Sequence, residues 1–578
     1  MTAYLGNVDS DRRLPSADLR PHRSYKLDAF AHYPEHFNST DMLLDAQLAK
    51  GRGDHPALLY RDQRITYREL ARDVDRLGSE LQQLGVRPGD RVLLRSLNEP
   101  AAIVANFAAL KIGAVVVPTS PLYDADRLAG ILHDCEPAAI VVCGALLDAV
   151  LVAIGHVGAS THVIVFDATQ EQIETAAGLD YDDLLAAGDD RLDPVLRPRS
   201  AVALLFYTSG IDRPPTALAH LQEEMLIIPD VFGRYAWDIQ PADVLAGAGP
   251  MSFAGGYSAV ATLAYRRGAT TAIIPMGTPA SALFDVIRKH KITLLAAMPT
   301  TYQQMADVAD ADPADLTSLR IVSGGGDCLS SSTLTAWHER FKLDIFEGFG
   351  TNGMMHVFLT NAITKTALPG AIGPPLPGYE VSVLTADRQP VPTGEVGQLY
   401  VRGPLGTLHW GHPDHALEVA ARQAATTHQG WTRIGDWVTL DADGAVRFIA
   451  REDELFVRGT DRFGPRDVEL PLAAHPNVIE AGVFRSAEPA ESGDMHALVV
   501  LTAEQPDIDD VLGRLAAEAA QELGGRCPDT LTAVPSLPRT PFGTLLRRSL
   551  WPAWLADLRG KAQVIDRSTG KLRSPSPV

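Results

Sequence analysis

The chain is poor in lysine, cysteine and long apolar runs. Only 9 of its 578 residues are Lys against 42 Arg, and 71 Asp and Glu outnumber 51 Lys and Arg, for a formal charge of −20. No basic run offsets that sign locally, so nucleic acid, which binds clustered Lys and Arg, is excluded as the main partner. The four cysteines, Cys135, Cys143, Cys328 and Cys527, have no C-x-x-C spacing, which argues against a zinc ribbon or a disulfide framework and for a reducing compartment. No stretch approaches about 18 uninterrupted apolar residues, and no apolar segment follows the first charges. The expectation is a cytoplasmic protein without a membrane partner, in which the glycosylation-like Asn38-Ser39-Thr40 is a coincidence. What is present, 46% hydrophobic and 21% charged residues, suits a globular chain with room for several domains.

Residues 1–37 are polar and proline-containing and read as an extended arm on the surface. From about 38 the pattern is organised. Met42–Ala49 has helical spacing, and Ala57–Arg61 and Gln63–Tyr67 read as paired strands. Thr66 with Glu69 three residues on is a capping box for a helix ending near Gly85. Helical Pro100–Lys111, Asp126–Cys135 and Ala280–His290 alternate with short apolar strands at Arg91–Leu94, Ala114–Val117, Ala138–Val142, Val163–Phe166 and Ile292–Ala296, and a further helical stretch follows at Thr301–Val308. This is the pattern of an α/β fold with a parallel-rich sheet covered by helices. The turn Asp441–Gly444 joins two strands of a hairpin. Beyond it, mixed elements (helices Asp467–Ala474 and Ile508–Leu523, strands Val478–Phe484 and Ala497–Thr502) suggest a small α+β C-terminal domain over 454–557. Residues 558–578 read as a disordered tail.

Tyr207-Thr208-Ser209-Gly210 follows an apolar strand, and His220 lies ten residues on; such a small-residue loop can wrap backbone N–H groups around a phosphate. Then come Pro299-Thr300-Thr301-Tyr302, Gly324-Gly325-Gly326, Gly348-Phe349-Gly350-Thr351 before His356, Gly373-Pro374-Pro375, Gly435-Asp436, Arg451 with Asp453, and Pro538-Arg539-Thr540 with Gly543. In this order the set resembles the adenylate-forming, AMP-binding superfamily, and within it the benzoate- and aminobenzoate-type aryl-CoA ligases, over roughly 38–555. The resemblance implies a large N-terminal domain over 38–453, a small mobile C-terminal domain, and activation of a carboxylic acid by ATP and magnesium, with coenzyme A as a possible acceptor.

Three positions depart from the family pattern. The phosphate loop reads Ile211-Asp212-Arg213-Pro214-Pro215-Thr216, with Thr216 where the family has Lys and a carboxylate at Asp212. At ~4 Å and an effective dielectric near 20, each like-charge pair with a phosphate costs roughly 4 kcal/mol before screening. Asn352-Gly353 stands where the family has Thr-Glu, and a glycine side chain cannot ligate magnesium. Thr544 follows Gly543 where the family has its C-terminal Lys. No Lys occurs between 111 and 289 or between 365 and 561, so no shifted lysine serves either site, and Arg213, Arg539, Arg547 and Arg548 are the available surrogates.

By the same resemblance the nucleoside side is retained: Thr208, Ser209 and Gly210 in the phosphate loop, Phe349 as the adenine stacker, Asp436 for the ribose, Arg451 beside it and Asp453 as the hinge. The acid pocket is lined by Phe253, Ala254, Gly255 and Gly325, with His356 nearby, and Phe253 and His356 sandwich an aromatic acid. His409, His412 and His415 have H-x-x-H-x-x-H spacing, but in a variable loop of the family, and no metal site is assigned there. The expected ligand is a small aromatic or acyl carboxylate or its derivative. The expected role is that of a degenerate member that binds, regulates or scaffolds, with an active biosynthetic enzyme as a candidate partner. The alternatives are an ATP-independent condensation or transfer enzyme and a weak ligase using arginine surrogates.

Overall fold

The computed structural model describes residues 13–207, 215–327, 329–366, 370–485, 494–502, 507–539, 545–547 and 549–550, and the backbone strands at 563–566 and 571–573. The chain divides into two compact units, one formed by 1–381 with 400–433 and the other by 382–399 with 434–578.

The short apolar runs of the first unit become buried strands. Every residue of Arg91–Arg95, Val115–Pro118 and Ala139–Cys143 is buried, as befits parallel strands covered on both faces. They lie in an eight-stranded sheet ordered His409–Trp410, Ala217–Leu221, Val202–Tyr207, Val115–Pro118, Arg91–Arg95, Ala139–Cys143, His162–Phe166 and Leu179–Asp180. The sheet is parallel from Val202–Tyr207 onward, while Ala217–Leu221 turns back antiparallel and is edged by His409–Trp410. A second eight-stranded sheet runs Val357–Thr360, Ile345–Gly350, Ile321–Gly325, Leu294–Ala297, Val244–Gly247, Thr270–Ile273, Pro56–Tyr60 and Gln63–Thr66. Its core gathers Tyr302, Trp337 and Phe341 under Leu295 and Val322.

The capping box forms as expected. Thr66 Oγ1 accepts from Glu69 N, Glu69 Oε2 accepts from Thr66 N at 2.8 Å, and the helix Tyr67–Gln83 follows; Gly85 closes it at φ +89°. Asn38 is fully buried and donates to the carbonyls of Leu110, Lys111 and Val195 at 2.9–3.0 Å, which removes it as a glycan acceptor. The helix expected over Met42–Ala49 begins as a wide π-type turn, Asp41–Asp45, and continues as Ala46–Ala49.

Two expectations are corrected. The arm is not merely surface chain: Arg13, Phe30 and Tyr33 are buried, Arg13 stacks 5.0 Å over Trp410, and the Tyr33 hydroxyl donates to Asp230 at 2.7 Å. Its interspersed aromatics give it apolar area to bury, which its average polarity hid. The tail is not wholly without structure either. Gln563–Asp566 and Lys571–Arg573 form strands on a sheet ordered Val478–Arg485, Met495–Leu501, Thr530–Ala533, Gln563–Asp566 and Lys571–Arg573. Val564, Ile565 and Leu572 supply the short apolar strand signal there. This sheet and the helices Arg466–Ala474 and Ile508–Leu523 share the core of Phe463, Val483, Leu515 and Leu531 in the second unit.

One buried ion group fixes the start of the first unit. Lys111, 3% exposed, places Nζ 2.8 Å from Asp45 Oδ2 and also pairs with Asp75. Lys111→Met removes the cation and leaves two facing carboxylates, so it is expected to lower the unfolding free energy of this unit by about 3–5 kcal/mol. Urea titration followed by tryptophan fluorescence checks this.

Candidate functional site

The phosphate-loop residues Thr208, Ser209 and Gly210, with Ile211–Pro214, lie outside the described residues, as do Thr544, Arg548 and Cys328. What frames the loop is well placed. Val202–Tyr207 leads into it and Ala217–Leu221 leaves it, so Thr216 stands at the head of the return strand. One face of that strand carries Leu218 and His220. Leu218 pairs with His409, and the Ala219 N–H donates to Leu408 O at 2.8 Å. His220 meets Phe206 edge-on, 5.4 Å between centroids, and its Nδ1 lies 2.7 Å from Glu224 Oε2.

Thr407 then decides what happens at the family's metal position. Asn352–Met354 forms a tight turn in which Asn352 Oδ1 accepts from Ala254 N at 3.3 Å. A Cβ built on Gly353 falls 2.4 Å from Thr407 Oγ1, 2.9 Å from its Cγ2 and 3.1 Å from its Cβ. The space a side chain at 353 needs is therefore already filled. Magnesium takes hard oxygens, usually including a carboxylate, and here Gly353 has none and the Asn352 oxygen is engaged. These residues do not fit the ion, and among the described residues no group of three or more His, Cys, Asp or Glu is arranged to hold a metal. That includes the histidine triplet: His409 is buried with neither ring nitrogen bonded, whereas His412 stacks on His133 at 5.4 Å.

Phe253 precedes the helix Ala254–Ala261. Gly256 must be glycine, since a Cβ there would sit 2.1 Å from Pro250 O, while Gly255 faces open space. A Cβ on Gly325 would lie 3.3 Å from Gly348 O. His356 is buried with Nδ1 unpartnered. The ring that meets it is Phe232, at 4.4 Å, which also contacts Trp237 at 4.9 Å, and Trp237 Nε1 is likewise buried without a partner. Motif reasoning missed Phe232, Trp237 and Thr407. The first two sit in or beside an ordinary apolar helical run, and Thr407 is remote in sequence from the glycine it packs on.

Phe349 belongs to the first unit, where it packs edge-to-face on Phe358 at 5.6 Å. Asp436, Arg451 and Asp453 belong to the second. The hairpin strands pair Asp436 directly with Arg451. Burial pushes the Asp436 carboxyl up to about 7 despite Arg451 beside it. Asp453 O receives a long hydrogen bond, 3.5 Å, from Arg485 Nη2. Two of the arginine surrogates are engaged: Arg539 pairs with Glu480, and Arg547 with Glu469 at 2.9 Å.

Burial lowers the His356 pKa to about 3 and that of His409 to about 4, against about 6.5 in an unfolded chain. The unfolded chain therefore binds the extra protons as pH falls from 6.5, and stability fully present above that value is lost toward pH 3–4. At pH 5 each histidine accounts for roughly 2 kcal/mol of this loss. His356→Leu is expected to flatten the pH 7-to-5 decline in urea stability by about that amount.

The family model described as "AMP-binding enzyme" matches residues 44–408. The chain is 27% identical over 521 residues to a benzoate–CoA ligase of Thauera aromatica, covering 89% of this chain and 96% of that protein. It is 28% identical over 526 residues to a 4-hydroxybenzoate–CoA/benzoate–CoA ligase of Rhodopseudomonas palustris, covering 88% and 93%. A crystal structure of a benzoate CoA ligase from Burkholderia xenovorans superposes with a TM-score of 0.79 at 26% identity, over 89% of this chain and 99% of that one. The fold is also that of an anthranilate CoA ligase solved with anthranoyl-AMP, with a TM-score of 0.82 at 24% identity, over 90% and 98%. The chain belongs to the AMP-binding, adenylate-forming superfamily.

Proposed function

We propose that this protein binds an aryl or acyl carboxylate, or an activated derivative of one, in the pocket around Phe253, Gly255, Gly325 and His356, and that it does not carry out ordinary magnesium–ATP adenylation. The observation that carries the reading is Thr407 packed where a side chain at Gly353 would begin. A carboxylate-bearing side chain at 353 would first have to displace the Thr407 side chain. Thr216 and Thr544 remove two ammonium groups from the same chemistry, and Arg539 and Arg547 are committed to Glu480 and Glu469. Each lost electrostatic contact costs roughly 10²–10³ in rate, and the losses fall on one assembly whose parts act together. The role that remains is recognition: a regulatory or scaffolding partner of an active biosynthetic enzyme, loaded with a small carboxylate derivative. Benzoate-type acids are the first compounds to try, because the curated relatives are named for them.

Calorimetry tests the reading. A non-hydrolysable benzoyl-adenylate analogue, with one phosphate charge, is expected to bind at least 100-fold more tightly than magnesium–ATP; low-micromolar magnesium–ATP binding with benzoate-dependent pyrophosphate exchange would overturn it. Back-substitution distinguishes a filled metal position from a merely vacant one. Thr216→Lys/Gly353→Glu/Thr544→Lys is expected to remain without exchange activity, and adding Thr407→Gly is expected to raise it at least 100-fold over the triple variant.

A further inference from the structure

The first unit holds a buried charge cluster that the reading above does not use. Glu223 and Glu224 follow the strand that leaves the phosphate loop, and each is 1% exposed. Two adjacent carboxylates that far from water need counter-charges. Arg199 meets Glu223, with Nη2 2.6 Å from Oε2, and the Tyr25 hydroxyl donates to the other oxygen. The counter-charge of Glu224 comes from the N-terminal arm: Arg23 Nη2 lies 2.5 Å from Glu224 Oε1, and Arg23 Nη1 lies 3.6 Å from Glu223 Oε1. The second oxygen of Glu224, Oε2, is 2.7 Å from His220 Nδ1, and His220 Nε2 is buried with no partner. Arg23 also donates to Pro404 O at 3.2 Å, while the backbone N–H groups of His22 and Ser24 donate to Gly430 O and Gly403 O, so the guanidinium is held on both sides.

An ionised carboxylate only accepts. Facing Glu224, the imidazole must therefore carry its proton on Nδ1. A second proton on Nε2 would be a buried donor with nothing to meet, which costs desolvation energy without return. Burial by itself pushes the Glu224 carboxyl up, and Arg23 with His220 brings it below the usual carboxylate range. Without Arg23, Arg199 would still pair with Glu223 while Glu224 would lose its guanidinium, and a buried carboxyl without such a partner favours its neutral form. Glu224, the farther from Arg199, would take the proton and donate it toward Nδ1, and the imidazole proton would move to Nε2.

We propose that Arg23 is a positioning residue for His220: acting through Glu224, it fixes the imidazole as the Nδ1–H tautomer on the strand leaving the phosphate loop and keeps the Nε2 lone pair unprotonated. The arm thereby sets the hydrogen-bond polarity of a ring two residues from Leu218 and four from Thr216. The inference stands whether or not the chain adenylates anything.

The test is the nitrogen spectrum of the full-length chain labelled with ¹⁵N-histidine, with His220 assigned by the signals lost in His220→Gln. At pH 7 the wild type is expected to show Nδ1 protonated and Nε2 bare, Arg23→Lys the same, and Arg23→Gln the proton moved to Nε2. A wild-type His220 protonated at Nε2 or at both nitrogens overturns the proposal, as does a folded Arg23→Gln with the tautomer unchanged. If Arg23→Gln does not fold, Arg23→Lys decides: retention of Nδ1–H supports the relay, and its loss refutes it. A purely structural Arg23 would lower stability without moving the proton.

Discussion

Much of the first unit is arranged around the need to neutralise two carboxylates that its topology places out of water. Glu223 and Glu224 follow the return strand of the phosphate loop as the N-cap and first residue of the helix Glu224–Val231, and both are buried. Besides His220 on that strand, their guanidinium partners are Arg199 before the loop and Arg23 far upstream. Ionic demand of this kind is expensive to leave unmet, and removing one partner of a buried pair costs several kcal/mol. It explains why a polar-looking arm is drawn into the fold, and why its aromatic residues Phe30 and Tyr33 are buried once it is there.

The repetitive layers were legible in the sequence. Continuous runs such as Ala139–Cys143 read as covered parallel strands because they have no polar alternation, and Thr66 with Glu69 announced a helix start that the hydrogen bonds reproduce. The family motifs single out Phe253, Gly325, His356, Asp436 and Arg451 as expected site residues because their spacing along the chain is itself the signal. The contacts between distant segments were not legible. Nothing local marks Thr407 as the neighbour of Gly353, or Arg23 as the partner of Glu224, because both pairs are created by strand order and not by periodicity. The arm was misread for the same reason: average polarity describes a segment's composition, while burial is decided by the few side chains that find a site.

The Gly353–Thr407 contact makes a substitution that looks single into a coupled one. Residues in contact deviate from additivity by up to a few kcal/mol, and a glutamate added at 353 without relief at 407 meets a side chain closer than van der Waals contact permits. A route back to a metal-holding carboxylate therefore requires two changes, the first of them unfavourable on its own. In the same turn, Asn352–Met354, the Asn352 oxygen accepts from the first residue of the helix that follows Phe253. The turn Asn352–Met354 and the helix that follows Phe253 are thereby linked by a hydrogen bond.

The scarcity of lysine then acquires a local physical meaning. Replacement of Lys by Arg across a chain preserves charge, but Thr216 and Thr544 do not. The imidazoles near the face that Thr216 heads do not restore it either: burial keeps His356 and His409 neutral at physiological pH, and the Glu224 carboxylate holds the His220 proton on the side away from its free nitrogen. His356 and Trp237 add unpaired buried polar atoms on either side of Phe232, groups that usually have partners in native proteins.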